Sequence, residues 1–183
     1  MELIQLEYPI LVTGGDGSTL WFGCGSNVNL QRGVSTEATA TVSPGQALAW
    51  DASGLRIQPW DRSSTSAPLR QIVAVKLATT TGNLDSFAGV ALTTAPANVN
   101  VPTDGTMVTF AGPGSVVPVK TTAAGTVRYN CAASSTAGSI TPTSAVPSAP
   151  GSHLGRVIKI GGTTGGTTDS GSSSYVICAV GWY

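Results

Sequence analysis

From Phe87 to Ile160 the chain repeats one device, a short apolar run followed by a turn containing Gly, Pro or Asn. The runs are FAGVAL (87–92), GTMVTF (105–110), SVVPVK (115–120), GTVRYN (125–130) and LGRVIKI (154–160). Segments of roughly four to eight residues, rich in β-branched side chains and bounded by turn formers, read as strands. No stretch long enough for a helix carries apolar residues at helical spacing. The pattern predicts an all-β chain, a compact β-barrel or β-sandwich with an extended N-terminal arm and little or no helix.

Residues 2–12 read as a strand interrupted by Glu7 and Pro9, which suits an edge strand or an arm better than a central strand. TGGDGST (13–19) is a turn, and Leu20-Trp21-Phe22 and Val28 to Leu30 are short strands. Gln46 to Trp50, DASG (51–54) and Leu55 to Gln58 together read as a β-hairpin. The polar connector DRSSTSAP (61–68) suggests a division into an arm and hairpin region (1–69) and a β-barrel domain (70–183). VIKI, the Gly/Thr/Ser-rich stretch 161–174 and YVICAV read as a second hairpin with a long loop.

Nine basic and nine acidic residues cancel, and charged residues make up 10% of the chain, against about 25% in ordinary soluble domains. No net field steers the chain toward nucleic acid or anionic lipid. No apolar stretch approaches the ~20 residues that span a bilayer as a helix. MELIQLEYPILV lacks the basic start of a secretory signal, so assembly in the cytoplasm is expected. Cys24, Cys131 and Cys178 lack C-x-x-C spacing, and neither a zinc centre nor a disulfide framework is indicated. Cys178, inside YVICAV, reads as a buried small hydrophobe.

Chemistry-bearing residues are sparse. His153 is the single histidine and reads as a solvated or capping residue in a loop entering a strand. Asp51, Asp61, Asp85 and Asp104 all sit in turn contexts that explain them without catalysis. TGGDGST lacks the Lys of a phosphate loop. No catalytic, cofactor-binding or metal-binding residue is assigned, and no cofactor is expected. Trp21, Trp50, Trp60 and Trp182 are the candidates for recognition, with core packing the competing reading for each.

QIVAVKLATTTGNLDSFAGVAL, GTMVTFAGPGSVVPVK, TTAAGTVRYNCAASSTAG and PSAPGSHLGRVIKI together resemble the small capsid decoration (cement) proteins of tailed bacteriophages. The likeness covers residues 70–183 and rests on an F-x-G-V-A-L strand, a G-x-x-V-x-V pair, an A-G-x-V strand and an L-G-R-x return strand. It implies a non-enzymatic structural protein on the outer surface of the virion capsid, clamping subunits of the major capsid protein after shell expansion, and commonly a homotrimer. Neither nucleic acid nor membrane is an expected partner. Leu3, Ile4, Leu6, Tyr8 and Ile10 of the arm, with Trp21 and Trp60, are the expected capsid and subunit contacts. The alternatives are another virion part (tail or head fibre), a carbohydrate-binding β-module, and a hydrolase.

Overall fold

The computed structural model describes residues 9–13, 19–23, 28–59, 69–80, 87–97, 106–123, 125–148, 151–160 and 175–181. These residues contain no helix and form twelve strands. β1 (Pro9–Thr13) and β2 (Thr19–Gly23) make a separate two-stranded antiparallel hairpin. β3 (Leu30–Ser35), β4 (Ala47–Pro59), β5 (Leu69–Leu77), β6 (Phe87–Ala91) and β7 (Thr106–Ala111) close into a barrel in the order β3-β5-β4-β6-β7. β8 (Val116–Lys120), β9 (Asn130–Ala133), β10 (Ile140–Thr143), β11 (His153–Ile160) and β12 (Tyr175–Val180) form a second sheet in the order β10-β9-β11-β12-β8.

The second sheet repeats the first. A parallel bridge between Thr121, just past β8, and Ile140 of β10 joins its two ends, as the parallel β3–β5 pair joins Ser35 to Val75. The strand cycle is then the same in both units, with β8 to β12 standing for β3 to β7 in order. The registers agree residue by residue. Leu30 faces Ala111 as Val116 faces Ala179, and Leu48 faces Leu77 as Cys131 faces Pro142. Both units also carry the same β-bulge. Ala47 and Ala49 pair Val90 and Phe87, and Asn130 and Ala132 pair Arg156 and His153, so one extra residue is accommodated at Gly89 or Gly155. A methyl added at Gly89 would overlap the Ala111 carbonyl, and one at Gly155 the equivalent Ala179 carbonyl. Hydrogen bonds outside the ladders match too. Gly45 N donates to Ala91 O (2.9 Å) and Ala91 N to Gln46 O (2.8 Å), as Arg128 N donates to Val157 O (2.7 Å) and Val157 N to Tyr129 O (2.8 Å). The chain is a tandem of two copies of one five-stranded unit.

Each unit fills its interior by a different division of volume. The first core holds Leu48, Val75, Leu77, Ala88, Ala91, Val108 and Phe110, with Trp50 edge-on to Phe110 at 6.0 Å between ring centroids. In the second, Cys178 takes the place of Phe110 and Cys131 that of Leu48, while Val119, Leu154 and Val157 replace the smaller Gly33, Ala88 and Ala91. A methyl on Gly33 would stand 3.0 Å from the Val73 carbonyl oxygen and 3.3 Å from the Phe110 ring, so the close strand and the large ring both leave no room for a side chain there. The Ala47, Ala49, Ala78, Phe87, Val90 and Ala111 side chains of the first barrel join the second barrel's residues in one continuous cluster. Small residues here let the two sheets approach closely.

Among the described residues five main-chain hydrogen bonds cross between the units. Ala47 N donates to Gly138 O (2.8 Å), Gly138 N to Ala78 O (2.8 Å), Thr80 N to Ser134 O (3.0 Å), Phe87 N to Gly151 O (3.1 Å) and Lys120 N to Gly45 O (2.8 Å). The last of these fills the seam of the second unit. Pro118 on β8 and Pro142 on β10 cannot donate to a ladder, which restricts both strands to edge positions. The seam is therefore a single bridge, and a turn of the first barrel supplies the next bond.

Two elements differ from the sequence reading. DASG (51–54) is not a hairpin turn, because β4 continues from Ala47 to Pro59 against β5 with a register shift between Trp50 and Leu55. Paired residues on both sides of the shift hold one strand partner, so the extra residues are absorbed as a bulge. GTVRYN is not a strand but a turn at Thr126–Tyr129 leading into β9, and β9 and β10 lie in the Ser/Thr/Ala/Pro stretch that reads as a connector. The described end of the N-terminal arm folds back as the β1–β2 hairpin. The barrel draws β3 and β4 from residues 30–59 and β5, β6 and β7 from residues 69–111.

Candidate interaction surface

The repeat allows each surface of one unit to be compared with its counterpart in the other. In the first barrel, the turn Ser43–Gln46 and the end of β5 are covered by the second unit through the Gly45, Ala47, Ala78 and Thr80 bonds described above. Their counterparts in the second unit are Arg128, Asn130, Thr143 and Ala145, and among the described residues no sheet covers this end. Gly45 is buried, whereas Arg128 is exposed. Both have the left-handed backbone, φ 82° and 78°, that the third position of such a turn requires. Arg128 is the single non-glycine residue with positive φ among the described residues.

Side chains close the main-chain groups that a neighbouring sheet closes in the first unit. Asn130 Nδ2 donates to Ala145 O at 2.6 Å, and Ala145 N donates to Thr143 Oγ1 at 3.1 Å. Asn130 Oδ1 is buried with no hydrogen-bond partner among the described residues. The polar backbone is thus capped, and large apolar side chains stand exposed beside Arg128. Val127 precedes Arg128 in the turn, Ile158 follows Val157, which bonds that turn, and Val146 follows Ala145. All three are exposed, Val146 by 83%. Scattered exposed apolar residues are ordinary; these three are sequence neighbours of residues that the Arg128, Tyr129 and Asn130 hydrogen bonds hold together.

His153 is buried at the start of β11 rather than solvated. It occupies the place of Phe87, and both are 8% exposed. The Ser152 hydroxyl lies 3.1 Å from its Nδ1. Burial lowers its pKa below the usual histidine value. Cys178 is buried as the sequence suggests, and the neighbouring Cys131 thiol, with burial, pushes its pKa well above the usual thiol range. Such a thiol is inert as a nucleophile. Among the described residues no three His, Cys, Asp or Glu side chains gather where they could hold a metal ion.

Of the expected contact residues, Leu3, Ile4, Leu6, Tyr8 and Trp60 lie outside the described residues. Ile10 pairs with Phe22, and Trp21 with Leu11, within the β1–β2 hairpin. The Val127, Val146 and Ile158 patch is not among the residues singled out from sequence. Val146 carried a usable signal, a lone large apolar residue within the polar run TSAVPSAPGS. Val127 and Ile158 sit in runs that read as ordinary strands. No family model matches the chain, and neither a curated protein nor a solved structure matches it.

Proposed function

We propose that this chain is a structural virion protein that binds the outer surface of a bacteriophage capsid and stabilises the expanded shell by clamping neighbouring subunits of the major capsid protein. In this reading it is not an enzyme. The observation that carries the proposal is the open end of the second barrel, where Val127, Val146 and Ile158 stand exposed on a face whose counterpart in the first barrel packs against protein. Two units joined through one continuous apolar cluster would hold such a face at a fixed distance from the rest of the chain. The resemblance of residues 70–183 to cement proteins supplies the partner. A patch this small binds weakly alone, and a lattice of repeated contacts supplies the holding energy through multivalency.

The deciding experiment counts this protein per purified particle by quantitative mass spectrometry against the major capsid protein. Hundreds of copies in simple ratio to the capsid protein are expected. A few to a few dozen would move the chain to a vertex or the tail, and absence would end the virion reading. Val127→Asp with Val146→Asp is expected to reduce binding to undecorated particles while leaving the fold intact; unchanged binding would exclude this face as the contact.

A further inference from the structure

The face of the first unit that packs against the second contains Ala47, Ala49, Ala78, Phe87, Val90 and Ala111. The shared registers give these residues, in that order, the counterparts Asn130, Ala132, Thr143, His153, Arg156 and Ala179. Two positions keep alanine, and the other four exchange an apolar side chain for a polar one. The largest change replaces Val90, fully buried between the units, by Arg156, which is exposed. Residues directly opposite on antiparallel strands carry their side chains on one face of the sheet. Arg156 therefore stands between Asn130 and Ala179 as Val90 stands between Ala47 and Ala111.

A second cation adjoins it. Arg128 N donates to Val157 O at 2.7 Å, which holds another exposed arginine next to this part of β11. Val127 and Ile158, both exposed, flank the two bonded residues. Among the described residues the second unit contains no Asp or Glu. The described carboxylates are Glu37 and Asp51 of the first unit, and Glu37 accepts from the Leu77 amide at 2.7 Å. We propose that the face around Arg156 binds a protein surface that presents a carboxylate to it. The inference rests on this end of the second unit being the docking face, and it names the chemistry that the partner brings. A protein that covers this face as the second unit covers the first strips water from the guanidinium, a cost that only a paired anion offsets. Arginine and carboxylate meet through two parallel hydrogen bonds, which also fixes orientation. The valine and isoleucine beside the arginines suit a protein surface better than a nucleic-acid backbone, where contacts are made to phosphate and sugar.

Binding of the full chain to undecorated particles supplies the test, with Arg156→Glu, Arg156→Val and Arg156→Lys measured beside Val127→Asp with Val146→Asp. Arg156 is exposed and valine stands at its place in the first unit, so all three single variants are expected to melt cooperatively as the wild type does. Arg156→Glu is expected to weaken binding about tenfold or more, Arg156→Val less and Arg156→Lys least. Raising salt from about 50 to about 500 mM should weaken wild-type binding and affect Arg156→Val much less. If the double valine variant loses binding while Arg156→Glu binds as the wild type does, the docking face stands and the acidic partner is overturned. Wild-type binding by both variants, or no binding of the wild type to particles, removes the docking face and this proposal with it. Binding that free duplex DNA competes away overturns the proposal in favour of a phosphate ligand.

Discussion

The main-chain amide of Asn29 donates to the Ser115 hydroxyl at 2.8 Å, and these two residues occupy the same position at the start of successive barrels. Each also accepts, through its carbonyl, from the end of its own unit's last strand, Asn29 O from Gly112 N and Ser115 O from Val180 N, both at 2.8 Å. Asn29 Nδ2 reaches Pro113 O at 3.1 Å, so the joint between the units is pinned at their matching first residues. Ser115 is fully buried. Ser115→Ala leaves the Asn29 amide without its acceptor and is expected to cost about 1–2 kcal/mol, measured by urea denaturation. A change below the precision of that measurement would mean that water replaces the hydroxyl.

Arg128 holds a backbone conformation that glycine holds in the first unit. A left-handed non-glycine residue carries strain on the order of 1 kcal/mol, part of which is offset in a glycine variant by the greater freedom of the unfolded chain. Arg128→Gly is expected to stabilise by about 0.5 kcal/mol, whereas Gly45→Ala is expected to destabilise by about 1 kcal/mol or more. Opposite shifts in thermal midpoint would establish that the two turns are the same turn. Loss of stability in Arg128→Gly would show that the arginine side chain contributes more than its backbone costs.

His153 makes stability depend on pH in a definite direction. Its folded pKa lies below the ordinary histidine value of about 6.5 because burial disfavours the charged ring. Between the folded and unfolded values the unfolded chain binds more protons, so the contribution is complete above about 6.5 and is lost as pH falls through that window. His153→Phe installs the residue of the first unit and is expected to fold. The difference in stability between wild type and this variant should change between about pH 7 and pH 5 in favour of the variant. Parallel curves would mean that the ring titrates alike in both states.

The two interiors trade volume in pairs, and this too can be measured. Cys178→Phe overfills the second barrel and is expected to cost about 1–3 kcal/mol. Val119→Gly alone leaves a void. Together they recreate the Gly33 and Phe110 arrangement, and the double variant should lose less than the sum of the singles. Strict additivity would separate the two positions.

The strands FAGVAL, GTMVTF, SVVPVK, LGRVIKI and YVICAV were legible because each is a short apolar run with turn residues at its ends. The repeat was not. β6 (FAGVA) and β11 (HLGRV) share only the bulge glycine, because a barrel position specifies volume and side, not residue identity. The turn SPGQ announces itself by Pro and Gly, while its counterpart TVRY bends without either. β10 was hidden because ITPT looks like linker composition, and a proline is tolerated there only because the strand lies at a seam. The open patch was hard to read for a related reason. Whether Val127 and Ile158 are covered depends on which unit they belong to, and that is a property of the tandem.

The lone bridge at the proline-flanked seam ties the closure of the second unit to its neighbour. The first unit closes on its own strands, through Val34 with Ala74 and Ser35 with Val75, while Lys120 of the second finds its acceptor in Gly45 of the first. The dependence also runs the other way, since the Ala47, Thr80 and Phe87 amides of the first unit find their acceptors in Gly138, Ser134 and Gly151 of the second. A chain cut between the units would therefore leave unpaired main-chain groups on both pieces.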